Sequence, residues 1–203
     1  MIAIIDYGMG NLRSVEKALE KVGAEVRVTR DPDEIRQAGK LVLPGVGAFG
    51  DAMENLRKRN LTDVIREEVQ SGKPFLGICL GLDLIFEESD EHGLHQGFGF
   101  LPGRVELLDT GFKIPHIGWN QARFEKQSRL LDGVPDGSYF YFVHSYAVVP
   151  RQETDILCTT DYGGTFVSAV ERDNIAAVQF HPEKSSSLGL TILKNFAEKN
   201  SAR

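Results

Sequence analysis

The stretch "GICLG", residues 77–81, sets a thiol between two glycines where an apolar run changes period. "PFLGI" before it reads as a short buried strand, and "LGLDLIF" after Cys79 as the first turns of a helix. A glycine–x–nucleophile–x–glycine turn between strand and helix lifts its central side chain out of the sheet. Cys79 is therefore a candidate nucleophile for acyl transfer. The helix N-terminus favours its thiolate, and the Leu80 N–H points where a carbonyl oxygen would gather negative charge. On these five residues alone, a buried packing cysteine fits equally well.

A thiolate doing acyl transfer needs a base, and the base needs an acceptor to orient it. "FHPEKS" supplies both, with His181 at the end of the strand-like "IAAVQF" and Glu183 two residues on. In an open parallel sheet functional groups gather at the carboxyl ends of the strands, where Cys79 also falls. Paired with the cysteine turn, His181 reads as a base rather than a solvated loop residue. In "LPGVGAFG", Gly45 and Gly47 permit close approach of a ligand to peptide N–H groups, with a second oxyanion donor around Val46. A plain glycine-rich turn remains open there. "DYGMGN" has Arg13 where a dinucleotide fingerprint needs its third glycine, so no cofactor is expected. His144, Ser145 and Tyr146 offer polar contacts to a substrate, and Trp119 and Tyr141 suit a partner surface. Core packing is the plainer alternative for these aromatic segments. His92 and His95 lack a further ligand set, so no metal site is expected, and Cys158 reads as a buried strand residue.

The elements that must position these groups alternate in the first half. Strands are expected at residues 2–6, 25–28, 40–43 and 74–78. Between them fall a helix with Leu12, Val15, Ala18, Leu19 and Val22 on one face, stopped by Gly23, and a helical stretch over 51–71 broken near Asn60. In the second half "GRVELL", "YFYFVHSYAVV", "DILCTT", "TFVSAV" and "IAAVQF" are strand-like with short polar turns, as in antiparallel pairs. A last helix is expected over 187–199. The fold class is α/β: a mainly parallel, doubly wound sheet with flanking helices, plus antiparallel strands, in a single domain over 1–203.

The composition excludes several functions. With 203 residues, a formal charge of −6 and 26% charged residues, the chain has no concentrated basic face for nucleic acid or anionic membranes. No apolar run approaches a membrane span, and the N-terminus enters a strand at once, without a signal peptide. The two cysteines imply no disulfide framework, so a reducing, cytoplasmic setting is expected.

Together, "DYGMGNLRSVEKAL", "LPGVGAFGDAM", "GICLG", "PHIGWN", "YFVHSY" and "FHPEKSS" span nearly the whole chain. In that order they resemble the class I, triad-type glutamine amidotransferases, and among these the glutaminase subunits of imidazole glycerol phosphate synthase. The resemblance implies Cys79 as nucleophile, His181 as acid and base, and Glu183 as the group that orients the imidazole. It makes "PGVG" an oxyanion strand, with Gly45, Val46 and Gly47 beside Leu80, and L-glutamine the substrate. It also implies a barrel-shaped cyclase partner that receives ammonia, with Asn11, Trp119, Asn120, Tyr141 and Lys184 as candidates for the interface. Where relatives commonly read "GMQ", this chain reads "GLD". Asp83 thus puts an acid where a neutral donor and acceptor is usual, and it is expected to contact the substrate.

Overall fold

The computed structural model describes residues 1–198. Its central strands are β1 (Ile2–Ile5), β2 (Val26–Thr29), β3 (Lys40–Gly45) and β4 (Phe75–Cys79), parallel in the order β2-β1-β3-β4. Then come β5 (Glu88–Ser89), β6 (His95–Gln96), β7 (Gly103–Leu107), β8 (His116–Phe124), β9 (Ser138–His144), β10 (Tyr146–Pro150), β11 (Ile156–Asp161), β12 (Thr165–Arg172) and β13 (Ile175–Val178). Helices α1 (Leu12–Lys21), α2 (Pro32–Gln37), α3 (Phe49–Lys58), α4 (Thr62–Gln70), α5 (Leu80–Leu84) and α6 (Ser186–Glu198) flank them.

Side chains alternate across the parallel strands and so feed two cores. Ala3, Ile5, Leu41, Leu43, Phe75 and Ala177 pack on one face against α2, α3 and α4, through Ile35, Met53, Leu56 and Ile65. Ile2, Ile4, Val42, Leu76, Ile78 and Val178 face the other way, onto Val15 and Leu19 of α1 and Ile192, Leu193 and Phe196 of α6. Burial on both faces explains why these strands read as unbroken apolar runs. Asn11 caps α1, its side chain accepting from the Ser14 N–H, and Gly23 follows the helix at φ +86°. The 51–71 stretch divides as expected, with Asn60 at φ +58° between α3 and α4.

Four features differ from the sequence expectation. The strand over 175–178 is not part of an antiparallel pair alone. It lies parallel to β4, with Val178 opposite Ile78, and antiparallel to β12, so it carries the residues that follow it to the edge of the Cys79 turn. The segment "YFYFVHSYAVV" is two strands, because Ser145 leaves the ladder: β9 pairs with β8, and β10 with β7. α2, β5, β6 and β8 were not foreseen. The last helix begins one residue early, at Ser186, and its expected end at Lys199 lies outside the described residues.

Candidate active site

Cys79 ends β4 opposite Gly45 of β3, with φ +54°, a backbone that only the tight turn into α5 explains. The flanking glycines are required by contact. A Cβ on Gly81 would stand 1.8 Å from the Leu43 carbonyl oxygen, and one on Gly77 2.5 Å from the Gly81 oxygen. A Cβ on Gly45 would collide with the Tyr7 hydroxyl at 2.2 Å. Strand, turn and helix can therefore close up only around glycine.

Beyond β13, the His181 backbone N–H donates to the Tyr141 carbonyl at 2.9 Å and draws the histidine under β9. Nδ1 of His181 lies 2.8 Å from Oε1 of Glu183, and both side chains are buried. The carboxylate accepts, so Nδ1 carries the proton and Nε2 keeps its lone pair. Nε2 of His181 and Oε2 of Glu183 are buried without a hydrogen-bond partner. An oriented imidazole with a bare nitrogen, just past the strand that neighbours the one ending in the thiol, is the arrangement of a general base.

The Leu80 N–H at the start of α5 favours the Cys79 thiolate, but burial acts more strongly in the opposite direction. α5 has only five residues, and burial pushes the thiol up to about 12. Asp83 and, less, Glu183 add to the rise, while the Leu80 N–H opposes it. Asp83 is itself buried, and desolvation together with the neighbouring Glu91 charge raises its carboxyl well above the usual range. That shift favours the protonated acid, and burial stands first among the causes that hold the Cys79 thiol up. The Gln179 amide lies beside both groups but completes no hydrogen bond of ordinary geometry.

Cys79 opens into a cleft of about 290 Å³ whose walls include Val46, Gly47, Leu80, Asp83, His144, Ser145 and Tyr146. The sequence-expected oxyanion and substrate residues thus converge, except that Gly45 packs behind the wall against Tyr7 and Leu80. Glu91 was missed. It lines the same cleft, with Oε2 accepting from the Phe49 N–H at 2.6 Å at the start of α3. In sequence it is one of several acids in a polar loop, and nothing in its neighbours marks it. Two carboxyls without a described cationic partner suit the ammonium group of an amino acid.

Of the expected interface residues, Trp119 and Tyr141 are cross-strand partners with rings 6.2 Å apart. The Lys184 ammonium stands 5.8 Å over Tyr141. Trp119 is 53% exposed, so this cluster faces solvent. Asn11 is occupied capping α1, and the Asn120 amide turns to His116 and the Asp161 carbonyl. Cys158 is fully buried in β11, and burial raises its thiol. Among the described residues no group of three or more His, Cys, Asp or Glu is placed to hold a metal ion, and no helix is long and apolar enough to cross a membrane.

His144 gives a measurable consequence. Burial lowers it to about 4, against the pull of its bond to the Tyr146 carbonyl. The folded chain keeps it neutral while the unfolded chain takes up a proton near pH 6.5, so stability falls as pH drops from about 6.5 towards 4. Urea unfolding is expected to show a loss of about 2 kcal/mol from this group between pH 7 and pH 5. The slope should flatten in His144→Gln.

The glutamine amidotransferase class-I family model matches residues 3–200. Two subunits named imidazole glycerol phosphate synthase subunit HisH are close relatives. That of Aquifex aeolicus is 60% identical over 97% of this chain and 95% of its own, and that of Moorella thermoacetica 55% over 97% and 94%. Among solved structures, PurLQS from Thermotoga maritima matches with a TM-score of 0.74 and 19% identity, over 96% of this chain and 94% of that one. At that identity the match speaks for the fold. By the family model and the relatives together, the chain belongs to the class I glutamine amidotransferases, and within them to the HisH group.

Proposed function

We propose that this chain is the glutaminase subunit of imidazole glycerol phosphate synthase, hydrolysing L-glutamine and passing ammonia to a cyclase subunit in histidine biosynthesis. The observation that carries the reading is the His181–Glu183 pair, 2.8 Å apart, with Nε2 of His181 bare just beyond the strand that neighbours the one ending in Cys79. Nε2 takes the thiol proton as sulfur attacks the side-chain amide carbon. It then gives that proton to the departing nitrogen, which leaves as ammonia. Water attacks the glutamyl thioester, His181 takes its proton, and glutamate leaves as the thiol re-forms. The N–H groups of Leu80 and of the backbone about Val46 and Gly47 serve the oxyanion. Asp83 and Glu91 meet the substrate's ammonium end, with His144, Ser145 and Tyr146 opposite. The Trp119–Tyr141–Lys184 cluster is the surface offered to the cyclase, in a heterodimer working in the cytoplasm without cofactor or metal, as a single domain. Mixing the chain with a cyclase subunit, its nucleotide substrate and glutamine tests this, with glutamate and imidazole glycerol phosphate forming together.

Asp83 supplies a finer check. In the protonated form that burial favours, it offers a donor and an acceptor, as an amide does. Asp83→Asn keeps both, so the KM for glutamine is expected to stay within about threefold, whereas Asp83→Ala raises it about tenfold. The asparagine also removes an acid that ionises more readily once the chain unfolds. Its stabilising effect should therefore grow as pH rises above the ordinary carboxyl range, a trend that melting at pH 5 and pH 8 would reveal.

A further inference from the structure

His116 and His144 face each other across β8 and β9, with Nδ1 of His116 3.0 Å from Nε2 of His144. Neither belongs to the cysteine, histidine and glutamate set, yet His144 lines the cleft and is close enough to His181 to feel its charge. Each outer end of the pair is held by a group with only one role. The Tyr146 carbonyl, 2.7 Å from Nδ1 of His144, can only accept, so that nitrogen carries a proton. The Asn120 amide nitrogen, 3.3 Å from Nε2 of His116, can only donate, so that nitrogen is bare. Asn120 is not free to turn over. Its Nδ2 also donates to the Asp161 carbonyl at 2.8 Å, and its Oδ1 accepts from the Gln121 N–H at 2.8 Å.

With both ends set, the middle contact runs one way, from Nδ1–H of His116 to Nε2 of His144. Both rings are neutral, each with its proton on Nδ1. A second proton on His144 would face the Nδ1–H of His116, and one on His116 would face the Asn120 amide. The titratable groups around the pair are His181, Tyr146 and Tyr162, whose ring stacks on His116 with centroids 4.0 Å apart. Among the described residues, neither ring has a carboxylate as hydrogen-bond partner.

We propose that His116 and Asn120 are positioning residues for glutamine hydrolysis, locking His144 as a neutral imidazole so that the wall bearing Ser145 and Tyr146 stays in place and uncharged beside His181. The inference rests on the glutaminase reading above. In that reaction His181 carries a positive charge just before ammonia leaves, and a second cation beside it would raise the energy of that state. The lock runs from the solvent-facing edge of β8 to the cleft, so a change at Asn120 reaches the substrate wall through two rings.

The test combines imidazole nitrogen NMR on the chain with kinetics in the cyclase complex. In the wild type both histidines are expected as Nδ1–H tautomers from about pH 8 to about pH 6. Asn120→Asp reverses the lock, since a carboxylate accepts from Nε2–H. His116 should then become doubly protonated near neutral pH, and the acid limb of the kcat profile should move upward. His116→Phe keeps the stacked ring but loses the donor, and kcat/KM should fall about tenfold; His116→Asn returns an N–H and should recover most of it. A wild-type proton on Nε2 of either ring would overturn the lock. So would an Asn120→Asp protein with unchanged tautomers and pH profile, or equal rates for the two His116 variants. A wild-type complex with no glutamine turnover at any pH would instead overturn the glutaminase reading, and with it the lock's role in hydrolysis. The tautomers are measured independently of turnover.

Discussion

Cys79→Ala is expected to abolish glutamine-dependent synthesis by the cyclase complex, by about 10⁴-fold or more, while synthesis from added ammonium salts continues. The loss is near total because no other described group can take over. Cys158 is fully buried in β11 with a raised thiol, and burial raises the Asp83 carboxyl well above its usual range. His181 would keep its orientation by Glu183 but have no thiol to deprotonate. The substitution removes a buried sulfur, so some loss of stability accompanies it. Co-elution of the variant with the cyclase controls for that loss, and retained ammonium-dependent synthesis shows that the partner is intact. The assay measures glutamate release and ammonium-supported product side by side. Substantial glutamate release by the purified variant would remove Cys79 from its role.

The second large effect concerns the oxyanion strand. Val46 is 41% exposed at the mouth of the cleft, between Gly45 and Gly47, and Gly47 holds φ +101°. A glycine at that angle lets the adjoining peptides turn over at little cost. The isolated chain is therefore expected to be a poor glutaminase if, as the proposed function has it, an oxyanion donor about Val46 is aimed only when a peptide there turns over. Partner and nucleotide together should raise kcat by about a hundredfold or more, with a smaller change in KM. Gly47→Ala should lose most of that gain, since its methyl would stand 2.7 Å from the Met9 methyl and its backbone would be strained. Turnover that is the same with and without the cyclase would refute this gating.

Much of the architecture was legible because both faces of the parallel strands are buried. That condition writes short apolar runs such as "IAII" and "FLGIC" into the sequence, separated by helices with one apolar stripe. The cysteine turn was equally plain, because close packing of Gly77 and Gly81 leaves room for no other residue. What escaped depends on register or on burial, neither of which is local. α2 buries a single residue, Ile35, too little to mark a period. β8 alternates weakly, its exposed positions including Ile117 and Trp119. The pairing of His116 with His144 needs β8 and β9 in one particular register across a gap of 28 positions. Asp83 reads as an anion in sequence, but in the fold burial first, and then the charge of Glu91 from a distant loop, raise its carboxyl well above the usual range.

Mass spectrometry of the cyclase complex, acid-quenched during steady-state glutamine turnover, tests the central claim most directly. The account predicts a mass increase of one glutamyl group on the peptide containing Cys79, absent from the Cys158 peptide and from the Cys79→Ala protein. An unmodified Cys79 under sustained turnover, with the glutamyl group elsewhere or nowhere on the chain, would contradict it.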